Sequence, residues 1–152
     1  MAGRTKWIAV TVVGTIVALL FGANGPLGGF WGESVLSDPE PEGAALAGLI
    51  GAGLVESVAF GVGLAWIAFG WPMMQRVGGA LATWTFVAVA WGLVSWAPHT
   101  SLHVTNGSTD WGRLAVIEWG FHVTLVIGAM IVATFVWQTL QRAGERPAVA
   151  TV

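Results

Sequence analysis

The sequence predicts an all-α integral membrane protein, four transmembrane helices in a bundle, and three observations predict it. First, 55% of the 152 residues are hydrophobic and only 9% are charged, with a mean hydropathy of +0.75. A water-soluble domain carries about 25% charged residues, so this chain lacks the polar surface to face water all round. Second, the apolar residues gather into four runs, each reaching or approaching the ~20 residues that a helix needs to cross a bilayer. Third, glycine (22) and tryptophan (10) are both abundant. That is the composition of helices packed backbone to backbone, with aromatic rings at the membrane interfaces.

The first helix is expected at about 7–23. The basic start "MAGRTK" followed by an apolar run also fits a signal peptide, but the run exceeds the usual ~7–15 residues. A cut after Ala23 would put bulky Phe21 where a small residue is required, so an uncleaved span is the favoured reading. An irregular, acidic outward loop follows over 24–43, with "SDPEPEG" favouring extended and turn backbone. The second helix, about 44–69, has small residues every fourth position at Ala44, Gly48 and Ala52, then Glu56 on the same stripe. Such a stripe lets a neighbouring backbone approach, and predicts that Glu56 points into the bundle.

The third helix is expected at about 77–96, with Trp84 and Trp91 on one packing face. Pro98 should end it, leaving His99 and His103 on an outward loop, 97–113. The fourth helix, about 114–140, presents Gly120, Thr124 and Gly128 on one side. Glu118, His122, Leu125 and Ala129 lie roughly opposite, which predicts neighbours on both sides and a central place in the bundle. The tail, 141–152, is expected in the cytoplasm.

Basic residues set the direction. Arg4, Lys6, Arg76, Arg142 and Arg146 fall in the three regions that share one side of a four-span chain. Only Arg113 falls on the other side, among Glu33, Asp38, Glu40, Glu42 and Asp110. The positive-inside rule puts both termini in the cytoplasm and the histidine loop outside it. The expected location is the plasma membrane (the inner membrane of a Gram-negative cell), multi-pass. With no cysteine, disulfides, thiolate metal sites and thiol catalysis are excluded. A net charge of −2 gives no reason to expect nucleic acid.

All three histidines fall between residues 99 and 122. His99 and His103 are spaced i, i+4, and so are Glu118 and His122, which places each pair on one face if helical. Two ligands from one helix commonly hold one metal ion in that geometry. With a ~1.5 Å rise per residue, Glu118 lies ~6 Å and His122 ~12 Å past the start of helix 4, and Glu56 ~18 Å past Ala44. His99, His103, Glu118 and His122 are thus the candidate metal ligands. Glu56, Asp110 and Arg113 are candidate proton-handling or supporting groups. Ionisable groups inside a bilayer cost ~2.5–3.5 kcal/mol or more, so they pair or bind something.

Imidazole and carboxylate without thiolate suit copper(II), zinc or non-haem iron, and an outward site favours copper or zinc. Haem b ligated by His122 with His99 or His103, Arg113 meeting a propionate, is the alternative cofactor. The expected function is a small membrane subunit with an outward His/Glu metal site. It would serve a larger respiratory or oxygenase-type redox complex, beside other membrane subunits or copies of itself. A helix-locking structural subunit and a proton-coupled carrier using Glu56 are the alternative classes. The sequence holds no nucleophilic triad, phosphate-binding loop or nucleotide fingerprint.

Overall fold

The computed structural model describes residues 2–32, 42–106 and 111–144, and within them the chain is helical with no strand. Its helices are α1 (Ala2–Phe21), α2 (Gly43–Phe69), α3 (Trp71–Gln75), α4 (Gly79–Val94), α5 (Trp96–Asn106), α6 (Trp111–Glu118) and α7 (Thr124–Gly144). A 3₁₀ turn at Gly28–Trp31 follows α1, and a π turn at Trp119–Val123 joins α6 to α7. Four stretches are long and apolar enough to cross a membrane: Gly3–Phe21, Gly43–Phe69, Gly79–Thr105 and Gly112–Gly144.

Residue pairings show that neighbouring spans run antiparallel. Trp7 meets Phe69 and Gly14 meets Gly61, so α1 and α2 run in opposite directions. Gly63 lies against Leu93 and Val94, while the Trp66 indole donates to the Phe86 carbonyl at 3.0 Å, which reverses α4 on α2. Gly128 rests on Ala88 and Trp91 donates to Thr124, which reverses α7 on α4. The chain's first residues, the α3–α4 turn and the end of α7 therefore share one end. The histidines share the other. The turn at the first end uses Gly78 (φ 75°) and Gly79 (φ 78°), two consecutive left-handed residues that side chains other than glycine resist.

The helices pack in chain order, α1 on α2, α2 on α4 and α5, and α4 on α7. Among the described residues α1 and α7 make no substantial contact, so the spans pack as an open row. α7 has no buried residue, whereas α4 buries Ala82, Thr85 and Ala88 and α2 buries Ser57, Gly61, Gly63 and Ala65. The second and third spans are central. The fourth, expected at the centre, stands at the edge.

The expected small-residue stripe of α2 is also displaced. Ala44, Gly48 and Ala52 are exposed, and a Cβ at Gly48 would meet nothing within 4 Å. The close crossing lies further along, where a Cβ on Gly14 would sit 2.8 Å from Gly61 Cα, and one on Gly61 would overlap Thr11 O. Both halves of α2 are rich in small residues. Only the half from Ser57 onward has α1 and α4 beside it. Trp84, expected to pack, is 60% exposed.

Pro98 does not end the third span. Lacking an N–H, it cannot reach the Val94 carbonyl, and the helix bends at Ser95. Ser95 N and Oγ both donate to Trp91 O, at 3.1 and 2.6 Å, and the ladder resumes with His99 N to Ser95 O at 3.0 Å. In α5, Pro98 occupies the first turn, where its missing donor is harmless. The expected loop 97–113 is therefore helical to Asn106 and again from Trp111.

Candidate metal centre

The continuation of the third span as α5 puts His99 and His103 one turn apart on a fixed backbone. Ser101 anchors that helix from its other side, accepting from Ala23 N at 3.2 Å and donating to Ala97 O at 2.9 Å. The polypeptide leaving α1 is held by the Trp31 indole, which donates to Phe21 O at 2.6 Å. The histidine-bearing helix thus rests on α2 and on the turn after α1, and is not a hanging loop.

Across from it, the π turn replaces i→i+4 bonding by i→i+5, adding a residue to one turn. An extra residue re-phases the two halves of the span by about 100°, the rotation per residue of an α-helix. The consequence is visible in what each half touches. Thr124 and Gly128 face α4, and Leu125, expected on the opposite side, also lies near Gly92. Glu118 faces α5, the continuation of that same span. Two stripes that should serve two neighbours serve one bent neighbour instead. Gly120, expected in the small stripe, meets nothing within 4 Å of where a Cβ would stand.

Within this frame Glu118 is bidentate toward two imidazoles. Its Oε1 lies 2.6 Å from His103 Nε2 and its Oε2 lies 2.6 Å from His122 Nδ1. His122 Nδ1 is also 3.1 Å from the Glu118 carbonyl, so both its near acceptors belong to one residue. Contacts as short as these two are those of charge-assisted hydrogen bonds. His99 is different. It is 9% exposed, stacked on Phe121 (ring centroids 3.8 Å, interplanar 13°), and edge-on to His103 at 4.4 Å and His122 at 5.2 Å. Trp96 packs edge-on against the same Phe121 at 5.0 Å. Among the described residues, His99 Nδ1 is buried without a hydrogen-bond partner.

His99, His103 and Glu118 can hold a metal ion: each offers one ligand atom, and these atoms lie within 4.8 Å of one another. Nitrogen and oxygen ligands at about 2.0–2.1 Å from a tetrahedral ion stand about 3.4 Å apart. The His103–Glu118 contact must therefore open by less than about 1 Å as a proton leaves it. His122 is not one of the three. It holds the second carboxylate oxygen, as groups beside a ligand commonly do.

The remaining sequence candidates are not among the three residues of this group. Glu56 is half-buried on α2 and is not a member of the three-residue group. Arg113 is exposed on the first turn of α6, and Asp110 lies outside the described residues. Phe121 was not singled out by sequence, although its place between Glu118 and His122 was the available signal. An aromatic ring among metal-type ligands on one helix is well placed to clamp an imidazole. Comparison with protein-family models, with curated proteins and with solved structures finds no match to this chain.

Proposed function

We propose that the chain is a four-span membrane subunit binding one divalent metal ion through His99, His103 and Glu118, with His122 orienting the carboxylate. The observation that carries this reading is that His99, His103 and Glu118 each offer a ligand atom within 4.8 Å of one another, with His99 buried and its Nδ1 unpartnered among the described residues. A buried polar atom left unpaired costs about 1–3 kcal/mol. Coordination, or a partner outside this chain, removes that cost. Two imidazoles and one carboxylate suit zinc, copper(II) or iron(II) and leave a coordination position for water or substrate. Zinc and copper are favoured by an extracytoplasmic position, which Arg4, Lys6, Arg76 and Arg142 at the opposite end support. Ligand type is what supports our reading of a role within a larger membrane redox assembly, beside other subunits or copies of itself.

Haem is disfavoured by contact among the three imidazoles. Rings whose centroids lie 4.4 and 5.2 Å apart leave no planar slot for a macrocycle between them. A helix-locking role is the second reading, favoured by the two 2.6 Å contacts that satisfy Glu118 without any ion.

Metal analysis of the purified protein decides between them. The metal reading expects about one zinc or copper per chain, lost in His99→Gln and His103→Gln while the helical content persists. No ion in the purified protein, and none taken up from micromolar zinc or copper(II), leaves the helix-locking role. Orientation is tested by cysteines at Gly112 and Arg142, which should label from opposite sides of intact cells, the first from outside.

A further inference from the structure

The end of the molecule opposite the histidines carries one sign of charge. Arg4, Lys6, Arg76 and Arg142 lie there, whereas Glu42 and Glu118 lie at the histidine end and Glu56 at the middle of α2. Among the described residues that end therefore holds no carboxylate, and Arg76 and Arg142 make no hydrogen bond or ion pair. Uncompensated basic residues beside a membrane attract the anionic head groups of the facing leaflet. That attraction is diffuse, and alone it marks no site.

At Arg142 it meets a crevice. The α3–α4 turn and the last turns of α7 enclose it, with Gly78 and Leu81 on one side and Phe135, Gln138, Thr139 and Arg142 on the other. Its volume is about 20 Å³, the room of one water molecule or one phosphate oxygen and not of a whole head group. The Thr139 hydroxyl donates to Phe135 O at 2.8 Å, so its proton is already used within the helix. The donors left on the wall are the Gln138 amide and the Arg142 guanidinium, and neither has an acceptor among the described residues. A guanidinium presents a planar fork of donors that matches two oxygens of one phosphate. Arg142 stands ~7.5 Å along the helix past Trp137, at ~1.5 Å per residue. The Trp137 indole is 63% exposed, as rings at the head-group level are. A crevice beyond it opens on lipid phosphates and not on acyl chains.

We propose that this crevice seats the phosphate of an anionic phospholipid such as phosphatidylglycerol. One phosphate oxygen enters beside Gln138, the Arg142 guanidinium holds the others at the mouth, and the acyl chains stay in the bilayer. Arg76, two residues before Gly78, adds charge at the rim. The lipid then ties the α3–α4 turn to the end of α7, the edge helix that has no buried residue of its own. The site lies at the end of the spans remote from the histidines and does not rest on the metal reading.

The test is native mass spectrometry of the full chain, released from detergent containing equal amounts of phosphatidylglycerol and phosphatidylcholine with the same acyl chains. The expected result is one retained phosphatidylglycerol per chain, preferred about tenfold over phosphatidylcholine, because a charge-assisted hydrogen bond to the head group outlasts detergent exchange. Arg142→Gln, at an exposed position, should abolish that preference. Arg4→Gln removes the same charge from the same end but outside the crevice, and should keep it. Gln138→Leu leaves net charge unaltered and should lower retention several-fold, so it carries the test should Arg142→Gln lose helical content by circular dichroism. Equal retention of the two lipids would overturn the proposal, and so would unaltered retention in Gln138→Leu. Equal losses in Arg4→Gln and Arg142→Gln would leave only the diffuse attraction. Displacement of the lipid by millimolar inorganic phosphate would assign the crevice to a small free anion, which also overturns the lipid assignment.

Discussion

The crossing of α1 and α2 at Gly14 and Gly61 and the cluster around His99 are both close contacts, made by opposite means. At the crossing there is no side chain on either glycine, and the contact is backbone against backbone. In an apolar medium burial of apolar surface gives no drive for helices to associate, so shape and dispersion must supply it. At the histidine end, five polar or aromatic side chains from α5 and the fourth span interlock through two 2.6 Å hydrogen bonds and a stacked ring. The first contact tolerates no added atom. The second tolerates changes of atom only where one group can stand in for another's hydrogen bond. Sterics hold the middle of this protein together, and polar chemistry holds its histidine end.

The largest effect that contrast predicts is at Gly61. Gly61→Leu drives a side chain into the backbone of α1 and should cost about 3 kcal/mol or more, enough to separate the two helices. Gly48→Leu, on the open half of α2, should change stability by less than about 0.5 kcal/mol. Thermal unfolding in detergent compares them, and similar melting of the two variants would remove the steric account.

Next in size are the ligands. His99→Gln and His103→Gln should each lower zinc or copper affinity by about 100-fold or more, since an amide is a far poorer ligand than imidazole. The double variant should be scarcely worse than either single one, because both act on one ion. Equilibrium dialysis against the metal measures this, and additive losses would mean two independent sites. Acidification should weaken the ion in the same assay, because protons compete for the same nitrogen lone pairs.

His122→Gln should cost only about 10-fold to 100-fold in metal affinity, the range for a residue that orients a ligand. A loss as deep as that of His99→Gln would make His122 a direct ligand and redraw the site.

The smallest effect separates the two tryptophans of α4. Trp91→Phe removes a 3.0 Å hydrogen bond to Thr124 and should cost about 1 kcal/mol. Trp84→Phe, on a 60% exposed ring, should fall within about 0.5 kcal/mol of the parent. Equal costs would show that the indole bond contributes nothing to the α4–α7 contact.

Much of the site was legible because its signals are local. The i, i+4 spacings of His99 with His103 and of Glu118 with His122 are helical geometry, and they hold once each segment is helical. Which oxygen of Glu118 meets which ring, and that His122 holds Oε2 while His99 sits buried on Phe121, are not local. Those relations depend on the bend at Ser95 and the π turn at Trp119–Val123, and both set the angle between segments far apart in sequence. Pro98 misled for a related reason: its missing donor breaks a ladder in mid-helix, but costs nothing in the first turn of a helix that begins two residues earlier.

By itself the sequence determined that the chain is helical, that four stretches are long and apolar enough to cross a membrane, and that its metal-type ligands are concentrated in one short region. Those properties follow from composition and period, which neighbours do not alter. Only the tertiary structure decided that the row stays open, that Gly61 and not Gly48 receives the neighbouring helix, and that three ligand atoms from two segments converge. Small residues permit close approach wherever they occur. Contact forms only where the lengths and bends of the adjoining helices bring a partner alongside.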